Sequence, residues 1–111
     1  FMQLLNADGK YVSPDDLTFA AAAAGVDWFS VPGMGVSMVN AKGANSWPVS
    51  TASFILMYKD PTDKNLAQEA LKFFEWSFKN GKQMAADLDY VALPDSLTRQ
   101  IRERVWSQIA K

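Results

Sequence analysis

The sequence predicts a helix-rich α/β chain whose sheet is incomplete. Three observations carry this. Two long stretches place apolar residues at helical spacing, over 61–80 and 95–109. One run, "ASFILMY" (52–58), ends in continuously apolar residues, as in a strand buried on both faces. The remaining strand signal is a single short hairpin at the start of the chain. A doubly buried strand needs neighbours on both edges, and the sequence offers few candidates for them.

Taken in order, "MQLLN" is a short apolar run before the turn "ADGK". Asp8-Gly9 is a strong hairpin signal, because glycine reaches positive φ freely and Asp tolerates it, and "YV" reads as the returning strand. A helix is expected over 13–24, "SPDDLTFAAAAA". Ser13 would cap it and Pro14 would take the first helical position. Asp16 complements the dipole, and Gly25 would end the helix in a left-handed conformation. The segment "VDWFSVPGMGVSMVNAKGANSWP" keeps no period and reads as a long irregular connection. After the apolar run 54–57 comes the second helix, with Asp60 as cap, Pro61 in the first turn and Asn80-Gly81 as the stop. Leu66, Ala70, Phe73, Phe74 and Ser77 form one stripe on it, and Ala67, Leu71, Phe74 and Phe78 a neighbouring one. An apolar arc this wide packs against more than one surface. "KQMAADL" adds a turn or two. Leu97, Ile101, Val105 and Ile109, with Trp106 beside them, define a third amphipathic helix, with Arg99, Arg102, Glu103 and Arg104 mostly outward.

Composition limits the chemistry. The 111 residues suffice for one small domain, and 49% apolar with 21% charged residues is ordinary for a globular chain. The net charge of −1 and the scattered eleven Lys and Arg residues speak against a nucleic-acid partner. Phe1 opens directly in strand-like sequence, as in a mature product or a fragment. With neither Cys nor His, the chain lacks thiolate nucleophiles, disulfides, the usual zinc ligands and the commonest general base, which argues against an enzyme. No metal site and no cofactor site is expected. Asp87 and Asp89 in "DLDY" form a carboxylate pair, but no further ligand is spaced nearby, which favours a capped turn between helices. "PGMG" at 32–35 lacks the Lys-Ser/Thr of a phosphate loop, so turn geometry is expected. The hydroxyls of "SWPVSTAS" have no His or Lys partner for nucleophilic catalysis. The Met-rich stretch "GMGVSMVNA" reads as packing rather than an adaptable binding surface.

Three blocks in one order carry a resemblance. They are Asp8-Gly9-Lys10 before an Ala-rich helix, Trp47-Pro48 before a Ser/Thr-to-apolar strand, and Phe73-Phe74 through Leu93-Pro94-Asp95-Ser96. Over nearly its whole length the chain resembles the C-terminal third of the PstS family, the periplasmic phosphate-binding proteins of the phosphate ABC transporter. The resemblance implies a fragment of a two-lobed periplasmic-binding-protein fold (type II), with 1–45 in the second lobe and 46–111 returning to the first. It places the lobe crossing at Ser46, Trp47 and Pro48. It implies capture of inorganic phosphate by the intact protein for import through an ABC-transporter permease, in the periplasm and without catalysis. The family's phosphate ligands lie on loops of its N-terminal two-thirds, so no phosphate-binding residue is carried over to this segment. The partners implied are phosphate, the permease, and either the missing N-terminal portion or a swapped copy of the chain. The alternative is a stand-alone helical protein-interaction module using the aromatic face of the second helix.

Overall fold

A computed structural model describes residues 1–111. The chain divides into two compact units, Phe1–Ser53 and Phe54–Lys111.

The first unit starts with an antiparallel hairpin of β1 (Leu4–Leu5) and β2 (Tyr11–Val12), in which Leu4 faces Val12 and Leu5 faces Tyr11. The turn closes where expected: Gly9 has φ +73° and its N–H donates to the Asn6 carbonyl at 3.0 Å. Helix α1 spans Asp16–Ala24, starting three residues later than predicted. Its cap is Asp15, not Ser13. The Asp15 carboxylate accepts from the Thr18 N–H at 2.9 Å, and Thr18 Oγ1 accepts in return from the Asp15 N–H at 3.1 Å. A carboxylate at this position is both a good acceptor and a negative charge at the dipole's positive end, so it takes the role from a hydroxyl two residues earlier. Ser13 serves instead through its carbonyl, which accepts from Thr18 Oγ1 at 2.7 Å.

Gly25 ends α1 but with φ −78°, in the right-handed region. Its requirement is space. A Cβ there would stand 2.2 Å from the Lys42 carbonyl oxygen. The alanine run allows similarly close approach, and Ala22 and Ala23 are buried with Val12, Trp28, Met38, Ala41 and Trp47 as the core of this unit. The Trp28 indole N–H donates to the Ala23 carbonyl at 2.8 Å, which satisfies its one polar atom in the core. "PGMG" forms a single turn of 3₁₀ helix at Pro32–Met34, with Gly33 at φ +73° and Met34 at φ +58°.

The second unit departs from the sequence reading at its start. Residues 51–58 form no strand, and Phe54, Ile55, Leu56 and Tyr58 are exposed, Leu56 at 93%. A strand exists only when its N–H and C=O groups meet a partner's, and the only ladder in the chain is β1–β2. Helix α2 (Lys64–Asn80) is capped by Asp63, whose carboxylate accepts from the Leu66 N–H at 2.9 Å. Asp60, the expected cap, lies outside the helix. Gly81 follows with φ −84° and the chain turns into α3 (Lys82–Asp87). Asp89, at φ +60°, reverses the chain toward α4 (Asp95–Arg104), and a 3₁₀ turn at Trp106–Gln108 completes the predicted third amphipathic stretch. Ala67 and Leu71 of α2 are buried, as are Leu97 of α4 and Ile109. The Ala110 N–H donates to the Lys59 carbonyl at 2.9 Å, tying the C-terminal end back to the residues before α2.

Candidate functional site

Two places in the fold gather polar side chains, one in each unit. In the first unit the centre is Asn6, whose side chain is buried at 5% exposure. Its Oδ1 accepts from the N–H groups of Asp8 and Lys10 at 3.1 and 3.0 Å, holding the hairpin turn. Its Nδ2 faces the carbonyl oxygens of Gly43, Ala44 and Ser46 at 3.1, 2.9 and 3.2 Å. Carbonyl oxygens only accept, so the amide has one possible orientation. Around it the chain is pinned. Ser46 is fully buried and its hydroxyl donates to the Lys42 carbonyl at 2.8 Å. The Trp47 N–H donates to the Thr18 carbonyl at 3.0 Å, its ring lies 6.2 Å from Phe19, and the Pro48 carbonyl accepts from the Asn40 N–H at 2.8 Å. The Ser50 hydroxyl donates to the Trp47 carbonyl at 3.0 Å. Ser46, Trp47 and Pro48, the residues singled out in the sequence, are therefore all buried in the first unit, and the division between units falls at Ser53–Phe54. Asn6 was not singled out. The only signal for it is a polar residue directly before a Asp-Gly turn, and nothing local says that its amide reaches forty residues ahead.

In the second unit an open groove of about 620 Å³ runs between α2 and the α4 end, with Leu71, Trp76 and Trp106 as its apolar lining and Lys72, Glu75 and Arg102 among the polar ones. Glu75 organises the charges. Its carboxylate accepts from Arg102 Nε at 2.6 Å and pairs with Lys79 at 3.0 Å. The Arg102 hydrogen bond, and after it that of Lys79, holds the Glu75 carboxyl below the usual carboxylate range. The Arg102 guanidinium also lies over the Phe78 ring, 5.6 Å from its centroid, and Phe78 stacks on Trp106 at 5.2 Å. Arg102 is thus not on the solvated face that the Arg-rich pattern predicted. A carboxylate held ionised by two cations is a poor general base, and the one hydroxyl lining the groove, that of Ser107, donates to the Glu103 carbonyl at 2.7 Å.

The other sequence candidates do not converge on either place. Asp87 accepts from Gln83 Nε2 at 2.8 Å on its own helix, and the Asp89 N–H closes a turn onto the Ala86 carbonyl. No three Asp, Glu, His or Cys side chains come together in an arrangement that could hold a metal. No helix is long and apolar enough to cross a membrane.

The geometry defines a scaffold segment: two small packed units, clamped by polar networks and carrying uncovered apolar surface. Sequence comparison supplies the family. The chain is 43% identical over 99 residues to the phosphate-binding protein PstS of Pasteurella multocida, covering 89% of this chain and 29% of that protein. It is 40% identical to PstS of Xylella fastidiosa (strain 9a5c), over 96% of the chain and 29% of the relative. It is 36% identical to PstS of Haemophilus influenzae, over 94% and 31%. No family model matches. Over nearly its whole length the chain matches PstS proteins, as a fragment of one does, and it spans about three tenths of the length of the relatives it matches. None of these similarities supports the stand-alone interaction module.

Proposed function

We propose that this chain is the C-terminal third of a periplasmic solute-binding protein that captures inorganic phosphate and delivers it to an ABC-transporter permease. The carrying observation is identity of 36–43% along nearly the whole chain to proteins named for phosphate binding. In this reading the parent protein is a two-lobed type II clamp, with 1–45 in the second lobe and 46–111 in the first, and Ser46, Trp47 and Pro48 at the crossing. Its work is noncatalytic. Binding favours a closed arrangement of the lobes, and the closed form is what the permease recognises. The absence of Cys and His from the chain agrees with a role that needs no nucleophile or base. The phosphate ligands belong to the upstream part of the parent, and this segment supplies structure.

Calorimetry with inorganic phosphate tests the reading. The polypeptide extended upstream to the length of the relatives should bind phosphate. The 111-residue chain alone should bind at least about a thousandfold more weakly, a difference of about 4 kcal/mol. Micromolar binding by the short chain would refute the assignment of the ligands to the upstream part. No binding by the long one would refute the function.

A further inference from the structure

We infer that Asn6 is the positioning residue for the connection between the two units, and that its amide fixes the end from which that connection departs. This rests on the proposed function for its effect on phosphate binding, but not for the clamp itself. Residues 40–50 are held at several points: the two N–H donors of Asn6 Nδ2 are shared among the carbonyls of Gly43, Ala44 and Ser46, the Trp47 N–H is held by the Thr18 carbonyl, the Pro48 carbonyl by the Asn40 N–H, the Trp47 carbonyl by Ser50, and the Lys42 carbonyl by the Ser46 hydroxyl. Beyond Ser50 the chain has no regular structure until α2 begins at Lys64. An anchored stretch gives way abruptly to one without a ladder. Of these holds, those from Asn6 reach three carbonyls from a single side chain, and that side chain belongs to a hairpin about forty residues away in sequence. Asn6 also spends its oxygen on the turn amides of Asp8 and Lys10, so the rigid two-residue ladder of β1 and β2 and the anchored end of the connection share a single amide. With both ends of that amide engaged and its side chain out of water, it resists local opening far better than an exposed hydrogen bond would. If the lobes of the proposed parent move on binding ligand, the pinned residues at its crossing, Ser46, Trp47 and Pro48, form the fixed end of the connection, and the bend falls beyond Ser50.

The substitution Asn6→Asp isolates this. The retained oxygen still accepts from the turn, whereas the new one faces three carbonyl oxygens and repels them. Asn6→Ala removes both sets of bonds without burying a charge and serves if the Asp variant fails to fold. Gly9→Ala, at φ +73° with nothing within 4 Å, strains the turn alone. Amide hydrogen exchange is measured on the polypeptide extended to the length of the relatives, together with its affinity for inorganic phosphate. The expected result for Asn6→Asp is exchange at least tenfold faster at the Ser46 and Trp47 amides, unchanged exchange in α1, and a phosphate dissociation constant altered at least fivefold. Gly9→Ala should change neither the Ser46 and Trp47 amides nor the affinity. Faster exchange spread evenly over residues 1–53 would reduce Asn6 to a general stabiliser and overturn the inference. So would local loosening with affinity unchanged. If the unsubstituted long protein binds no phosphate, the proposed function fails, and the exchange pattern alone decides whether Asn6 clamps the connection.

Discussion

Glycine at position 25 shows how a residue's reason differs from its pattern. A glycine after a helix reads as a left-handed cap, yet Gly25 is right-handed and what it provides is room for the Lys42 carbonyl. Gly25→Ala would bring a methyl group to 2.2 Å from backbone, which cannot move as a side-chain tip can. Overpacking of this kind costs about 1–3 kcal/mol. Urea unfolding followed by circular dichroism should show that loss for Gly25→Ala and a smaller one for Gly33→Ala, where the added methyl meets nothing and only the positive φ is strained. Glu75 gives the second prediction at this scale. Its carboxyl is held below its ordinary value of 4.5, first by the Arg102 hydrogen bond and then by that of Lys79. A depressed carboxylate contributes its stability above the unfolded pKa and loses it as pH falls through the folded one. The pair is about one-third exposed on both sides, so its worth is that of a partly solvated ion pair, about 0.2–1 kcal/mol. Glu75→Gln should lower stability by that amount at pH 7 and bring the two proteins together as the pH falls below 4.5 and through the lowered pKa of the folded state. A difference that persists unchanged to pH 2 would show that the carboxylate's charge is not what matters.

Helix α2 carries two apolar stripes, and the structure treats them differently. Ala67 and Leu71 are buried and Phe78 stacks on Trp106, so one stripe is covered within the unit. Leu66 and Phe73 on the other are 68% and 61% exposed. Phe73 is edge-on to Phe74 and stacked with Trp76 at 6.4 Å, both on its own helix. Truncating the covered stripe leaves a cavity: Leu71→Ala should cost about 2–5 kcal/mol. Phe73→Ser on the uncovered one should change the stability of this chain by less than about 0.5 kcal/mol, as surface substitutions do. In the polypeptide of full relative length the same Phe73→Ser should be markedly destabilising, because the proposed first-lobe sheet would bury that ring. Thermal unfolding of both variants in both lengths decides it, and equal, small effects of Phe73→Ser in the two would show that nothing covers the stripe.

For the molecule as a whole, the uncovered stripe adds to the exposed run of Phe54, Ile55, Leu56 and Tyr58. Burial of each such side chain is worth about 1.5–3 kcal/mol, against a net stability of about 5–15 kcal/mol for an entire domain. An exposed apolar run outside any ladder is also a template for another strand. The isolated chain should therefore associate, by sharing or swapping strands with a second copy or by taking up the upstream portion of the parent. Sedimentation at micromolar concentration checks this. A single 12.3 kDa species with sharp, dispersed amide signals would show that the chain closes its own surface.

What the sequence determined by itself is everything set by near neighbours. The Asp8-Gly9 turn, the three helical stretches, the stop at Asn80 and the two stripes of α2 were all legible, because turns and helices close their hydrogen bonds within a few residues; the likeness to PstS was legible from three sequence blocks in order. Caps were legible only approximately. Ser13 and Asp15, or Asp60 and Asp63, are chemically similar acceptors, and the choice between them depends on which backbone N–H groups the fold leaves open. The rest was decided by contacts between distant residues. Asn6 became a clamp only when the fold brought residues 43–46 to its amide, and Arg102 left its solvated face only because α4 carries it to Glu75. The run at 54–58 shows the same rule in reverse. Its composition favours a strand, but a strand's hydrogen bonds belong to a partner, and no pattern within a segment can supply one.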